Sequence, residues 1–236
     1  MQVLITRPRD DAEPLSQILR AAGHTPHIEP MMTIVPVPGP IPDLAKFQAI
    51  LLTSANGARA LARASAVRDR PVFTVGAATK RVARAAGFQH VEQADGDVDA
   101  LAQLVARRLR PKAGPLLHVA GTVVAGDLAG RLASRKFTIE RAVLYEARAV
   151  GRISPKTAAA LNAGKIDIAL LFSPRTARIF VDLASAQGLG GACREVIAGC
   201  LSANVAKAAG KLVWRDIIVA ARPDQDALLR RLGLRH

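Results

Sequence analysis

Aromatic residues make up 3% of the chain, with one Tyr and one Trp, which leaves little for stacking on bases and argues against a nucleic-acid partner. Cysteine is almost as scarce: Cys193 and Cys200, in or beside an apolar strand, read as small buried hydrophobes of a reducing compartment, without chemistry of their own. No run of eighteen apolar residues occurs, so no membrane span is expected. "MQVLITRPRDD" enters a strand-like alternation directly, without the pattern of a secretory signal, so a cytoplasmic protein is expected. Neither a GxGxxG fingerprint nor a P-loop is present. His24 and His27 form the one close histidine pair, and at a strand edge they read as surface residues, so no metal is expected. Acidic residues are also in deficit, 19 against 33 Lys and Arg, for a net charge of +14. That excess either attracts polyanions or marks an Arg-rich solvated surface, and its dispersal along the helices again disfavours nucleic acid.

What is present is a 236-residue chain, half of it hydrophobic, enough for one large or two small domains. Short apolar runs alternate with helical patterns, as parallel strands joined by crossover helices require, so the fold class is α/β. Strands are expected at "VLIT", "AILLT", "PVFTV", "LLHVA", "IALLF", "EVIAG" and "IIVAA". Helices are expected to begin near Asp11, Asn56, Ala78, Asp97, Ala125, Pro174, Ala203 and Asp224. The prolines of "VPVPGPIP" (35–42) mark a linker, and "RPKAGP" (110–115) marks another break.

The chain also repeats itself. "VGAATKRVARAAG" and "AGCLSANVAKAAG" align Gly76 with Gly199, Thr79 with Ser202 and Gly87 with Gly210. "TSANGARAL" and "FSPRTARIF" align Ser54 with Ser173, "DVDAL" returns as "DQDAL", and "LSQILRAAG" is matched more weakly by "LAGRLASRK". The offset between partners widens steadily along the chain, as when two copies of one unit differ by small insertions, so two similar α/β domains are expected. Ser54, Thr79, Ser173 and Ser202 would each stand at a strand-to-helix turn, where free N–H groups and the positive helix end suit anions. Taken singly, each could be an ordinary N-cap; in two matched pairs they point to a binding cleft. A two-domain module for a nucleotide, sugar phosphate or other polyanion would use the same features, but lacks its phosphate loop and ribose anchor here.

"ITRP", "LLTSANGARAL", "VGAATKRVARAAG", "VLYEARA", "LLFSPRTARIF" and "RPDQDALLRRL" together resemble the uroporphyrinogen-III synthase family over nearly the whole chain. The resemblance implies two flavodoxin-like parallel-sheet domains joined by a two-stranded antiparallel linker. The first domain would comprise 1–34 and 149–236, the second 38–142, and the linker strands 32–37 and 142–149, with Thr33, Ile34 and Val35 facing Val143, Leu144 and Tyr145. It implies a cofactor-free reaction in which hydroxymethylbilane loses its terminal hydroxyl as water and closes to uroporphyrinogen III with the last ring inverted. The implied partner is that small molecule, with transient contact to the preceding pathway enzyme and a monomeric state. Tyr145 matches the family's linker tyrosine and would donate a hydrogen bond to the departing hydroxyl. Arg7, Ser54, Asn56, Gly57, Gly76, Thr79, Ser173 and Ser202 would bind the substrate. Two departures stand out: Gly-Cys-Leu-Ser replaces the usual Gly-Pro-Thr-Thr in the second copy, and "AGTVVAGDLAGRL" lacks an arginine soon after its strand.

Overall fold

The computed structural model describes residues 1–124 and 126–235. The chain divides into two compact units, Met1–Thr33 with Arg148–His236, and Ile34–Ala147. The first begins with β1 (Gln2–Ile5), α1 (Arg9–Ala21) and β2 (Thr25–Ile28). After β3 (Met32–Pro36) the second unit holds β4 (Ala49–Leu52), α2 (Ala55–Ala64), β5 (Val72–Val75), α3 (Gly76–Ala85), β6 (Val91–Ala94), α4 (Val98–Arg108), β7 (Leu116–Gly121), α5 (Leu128–Ala133) and most of β8 (Ile139–Ala149). The first unit then resumes with α6 (Pro155–Asn162), β9 (Ile168–Leu171), α7 (Pro174–Ala186), β10 (Ile197–Cys200), α8 (Ala203–Ala209), β11 (Asp216–Val219) and α9 (Gln225–Arg231).

In the first unit the sheet runs β2-β1-β9-β10-β11, all parallel, the 2-1-3-4-5 order of a flavodoxin-like sheet. The second has the same series as β8-β7-β4-β5-β6, also parallel, with β3 added beyond β8. The strand-helix-strand that opens the first unit therefore comes last in the second, which is where the weak match of "LSQILRAAG" to "LAGRLASRK" falls.

Each central strand is apolar throughout because both of its faces are covered. Val3, Ile5, Ile168 and Leu170 pack against Leu15 and Leu19 of α1 and Leu228 of α9. Their neighbours Leu4, Ala169 and Leu171 face Phe180 of α7 and Val205 of α8. The second unit repeats the arrangement, with Ile50, Leu52, Leu117 and Val119 against Leu61 of α2 and Ala83 of α3. On its other face Ala49, Leu51 and Phe73 meet Leu101 and Val105 of α4 and Leu132 of α5.

Some local expectations shift. β2, β6 and α6 were not expected; the signal for α6 was Ser154-Pro155, an N-cap followed by proline in the first turn. α3 starts at Gly76, two residues before the expected Ala78. Ala125, the expected start of the fifth helix, lies outside the described residues, and α5 runs from Leu128 with Asp127 as its cap. His27 is half-buried, its Nε2 lying 2.8 Å from Thr157 Oγ1. The register of β3 on β8 also differs. The Val37 N–H donates to Leu144 O at 3.0 Å and the Val150 N–H to Met31 O at 3.1 Å, an antiparallel sense that sets Thr33, Ile34 and Val35 opposite Arg148, Ala147 and Glu146. The expected partners lie three residues away: Leu144 stands opposite Val37, just past β3, while its other edge belongs to the stretch of β8 that pairs with β7, from Leu116 opposite Ile139 to Gly121 opposite Tyr145.

Candidate active site

In a parallel sheet the loops after the strands gather at the carboxyl edge, and the crevice opens where strand connections diverge to opposite sides. In the second unit that point lies between β4 and β7. Ser54 follows β4 and caps α2, its Oγ accepting the Gly57 N–H at 3.2 Å. The same oxygen lies 2.7 Å from the Tyr145 hydroxyl, so two residues that are far apart in sequence meet at this edge. Gly57 is buried, and a Cβ there would come within 3.1 Å of Val119 O, so the helix start approaches β7 closely enough that any side chain would have to push the strand back by a few tenths of an ångström. Asn56, half-buried in the first turn, accepts from Arg59 Nη1 at 3.0 Å.

A β-bulge aims Tyr145. β7 and β8 pair residue for residue up to Ala120 opposite Val143, and then Gly121 lies opposite Tyr145, leaving Leu144 as the extra residue. Because side chains alternate across a strand, one inserted residue turns the later side chains to the other face. Tyr145 consequently packs with Val119 and Leu61 on the α2 side, instead of following Val143 and Arg141. Its ring lies flat over Gly121, where a Cβ would stand 2.8 Å from Cε2 and 2.9 Å from Cζ. The loop after β7 is held in turn, since the Thr122 N–H donates to Tyr145 O at 3.0 Å and Arg141 Nη2 donates to the carbonyls of Gly121 and Thr122 at 2.5 and 2.9 Å.

On the opposite face His118 is buried, with Nε2 3.3 Å from Thr53 Oγ1. Burial, and secondarily the Arg141 guanidinium, lower its pKa to about 4, so it is neutral at pH 7 and acts as a polar core residue beside the Ser54 loop.

The paired glycine-turn motifs part company in three dimensions. In the first copy the helix begins at Gly76, whose φ of +72° is the left-handed conformation open to glycine. This places Thr79 in the fourth helical position and buries it, so it is not an N-cap. In the second copy the chain stays extended through Cys200, and Ser202 caps α8 without a side-chain hydrogen bond. Ser173 does cap α7, accepting the Thr176 N–H at 3.1 Å. Arg7, just after β1, lies with its guanidinium 4.5 Å from the centre of the Phe172 ring, donates to Gln225 Oε1 at 3.0 Å and pairs with Asp11 at 3.6 Å.

Ser54, Gly57 and Tyr145 are thus brought together in the second unit, while Arg7 and Ser173 lie at the corresponding edge of the first, between β1 and β9. Gly121, Arg141, Phe172 and Gln225 escaped the sequence reading. Of these, Gly121 had a legible signal, a glycine at the end of an apolar strand. A cavity of about 440 Å³ runs along β6 and α4, between Glu92, Asp95, Gln103 and Arg108, and no site residue lines it. Among the described residues no group of three or more His, Cys, Asp or Glu is placed to hold a metal ion.

The chain resembles a crystal structure of uroporphyrinogen-III synthetase from Helicobacter pylori at 15% identity, over 99% of each chain, with a TM-score of 0.62. It also resembles a mutant uroporphyrinogen III synthase from Thermus thermophilus at 18% identity, over 99% of this chain and 97% of that one, with a TM-score of 0.55. At such identities the likeness establishes the fold. No curated protein sequence matches. Residues 13–230 match the family model described as uroporphyrinogen-III synthase HemD, and because that match spans most of its length, the chain belongs to the uroporphyrinogen-III synthase family.

Proposed function

We propose that in the family's reaction, the closure of hydroxymethylbilane with loss of water and inversion of the last pyrrole ring, this chain uses Tyr145 as proton donor to the departing hydroxyl. The observation that carries this reading is the Tyr145 hydroxyl 2.7 Å from the Ser54 oxygen at the start of α2, on the carboxyl edge between β4 and β7. Departure of the hydroxyl from the hydroxymethyl carbon attached to a pyrrole ring is assisted by a proton delivered to its oxygen, so that it leaves as water, and the azafulvene cation left behind is then attacked at that carbon by the last ring. Which carbon of that ring attacks is a matter of orientation, and the substrate's carboxylates are the handles by which it can be held. The first-turn N–H groups of α2, α3 and α7 are the donors proposed for them, with Asn56, Gly57, Gly76, Thr79 and Ser173 shaping those turns. Arg7 and Ser202 belong to the same proposal at the edge of the first unit.

The substrate is read as meeting the enzyme in the cytoplasm. Two unpaired cysteines, Cys193 and Cys200, agree with a reducing compartment. Separately, burial raises Cys193 to about 11 and Cys200 to about 12, so neither is a reactive thiolate. Among the described residues no helix is long and apolar enough to cross a membrane. Incubation with hydroxymethylbilane and separation of the porphyrin isomers tests the whole reading, since unassisted closure gives the type I isomer. The wild-type chain is expected to give type III. Tyr145→Phe is expected to slow that reaction by about a hundredfold, the lower end of what a positioned acid contributes. Wild-type turnover in Tyr145→Phe removes the donor role.

A further inference from the structure

We infer that Ser54 is a positioning residue for the closure reaction: its hydroxyl donates to the Tyr145 oxygen and leaves the phenol's own proton for the departing hydroxyl. This rests on the reading of Tyr145 as the donor. The two oxygens are 2.7 Å apart, and the hydrogen bond between them can run in either direction. A serine hydroxyl has one proton and two acceptor positions. One acceptor position of Ser54 is taken by the Gly57 N–H at 3.2 Å, which fixes the oxygen in the first turn of α2.

If Tyr145 donated to Ser54, its proton would be committed to the protein and unavailable to substrate. With Ser54 as donor, the serine accepts from Gly57 and gives to Tyr145, while the phenol keeps its O–H. This direction also suits the chemistry. As the phenol releases its proton, negative charge grows on an oxygen that already receives the Ser54 hydrogen bond and lies near the positive end of α2. The bulge at Leu144 and the bare Cα of Gly121 hold the ring where this contact forms.

The test compares Ser54→Ala with Ser54→Thr, each in wild-type and Tyr145→Phe chains, measuring kcat and KM for type III formation. Thr retains both the hydroxyl and the helix cap. Ser54→Ala is expected to lower kcat about tenfold with KM little changed, as befits loss of one hydrogen bond to the developing charge. Ser54→Thr is expected to restore most of the rate, and in Tyr145→Phe the alanine should have almost no further effect. Because Tyr145 is the only tyrosine, a chain carrying ¹³C at the phenol carbon gives one resonance. That signal should move in Ser54→Ala and return in Ser54→Thr. A raised KM with kcat intact, or an equal loss in both backgrounds, would overturn the inference and make Ser54 a direct substrate contact. An unmoved phenol resonance would overturn it as well. If Tyr145→Phe alone turns over normally, the donor reading fails and takes this inference with it, whereas a slow Tyr145→Phe with an unaffected Ser54→Ala removes the inference alone.

Discussion

Replacing Gly121 with alanine adds one methyl group directly beneath the Tyr145 ring. The new Cβ would lie 2.8 Å from Cε2, 2.9 Å from Cζ and 3.3 Å from Cδ2. Carbon atoms in contact prefer a separation of about 3.5–4.0 Å, so the ring must retreat by roughly 0.7–1 Å. The Tyr145–Ser54 bond starts at 2.7 Å. A displacement of that size, directed away from the ring face, carries the phenol oxygen out of line with Ser54 and spoils the angle on which an O–H···O bond depends. Overpacking of this kind costs about 1–3 kcal/mol, and in a chain of this size Tm falls by about 2–4 °C for each kcal/mol. The effect on catalysis should be larger, because misplacing a reacting group by ~1 Å can cost about a hundredfold in rate. Thermal melting and time-resolved separation of the type III and type I isomers measure the two effects separately. In a Tyr145→Phe background the same alanine should cost stability again but little further rate, since no hydroxyl remains to be misplaced. A Gly121→Ala enzyme that forms type III product at the wild-type rate would refute the reasoning, because the ring would then be shown to move without consequence.

Gly76→Ala is expected to lower stability by about 1–2 kcal/mol through its left-handed backbone alone, since nothing lies within 4 Å of the added Cβ; an unchanged melting curve would count against that assignment. Arg7→Lys keeps the charge but loses the guanidinium over the Phe172 ring and its hydrogen bond to Gln225, so a stability loss of about 0.5–1 kcal/mol is expected together with a raised KM, as its proposed place among the substrate-holding groups requires; an unchanged KM would leave Arg7 a packing residue. His118 contributes a pH dependence of definite sign. Its pKa falls from 6.5 to about 4 on folding, so between those values the unfolded chain binds more protons. The contribution is fully present above pH ~6.5 and is lost as pH falls toward ~4, up to about 3 kcal/mol. Urea titrations at stepped pH should show that slope, and His118→Gln should flatten it.

The features legible in the sequence are those set by near neighbours. Ser54, Ser173, Asp97 and Asp224 each stand just before a helix and each accepts a first-turn N–H, an interaction that spans only two or three residues. The apolar runs "AILL" and "IALL" have no polar side to expose, which is why central parallel strands could be expected of them, and both are buried throughout. The repeated order of such units pointed to two similar sheets, and each sheet has the same 2-1-3-4-5 series. Short, half-polar elements escaped: β2 "TPHI" and β6 "VEQA" carry too little pattern in four residues to stand out.

Tertiary structure decided everything that depends on register. "VGAAT" and "AGCLS" look alike along the chain, yet Gly76 begins a helix while Gly199 stays in β10, paired with Leu170 and Ile218 on either side. A Cβ on Gly199 would lie 2.6 Å from Leu232 of the closing segment, a constraint no local window contains. Tyr145 is the sharper case. Alternation from Val143 puts it on the face of Arg141, and only the unpaired Leu144 turns it toward Ser54. A strand's own residues discriminate weakly between neighbouring registers, and the choice is made by pairing and packing against β7 and α2, which are distant in the chain. Residue identity therefore supplied the hydroxyls, and the bulge in β8 decided that two of them would meet.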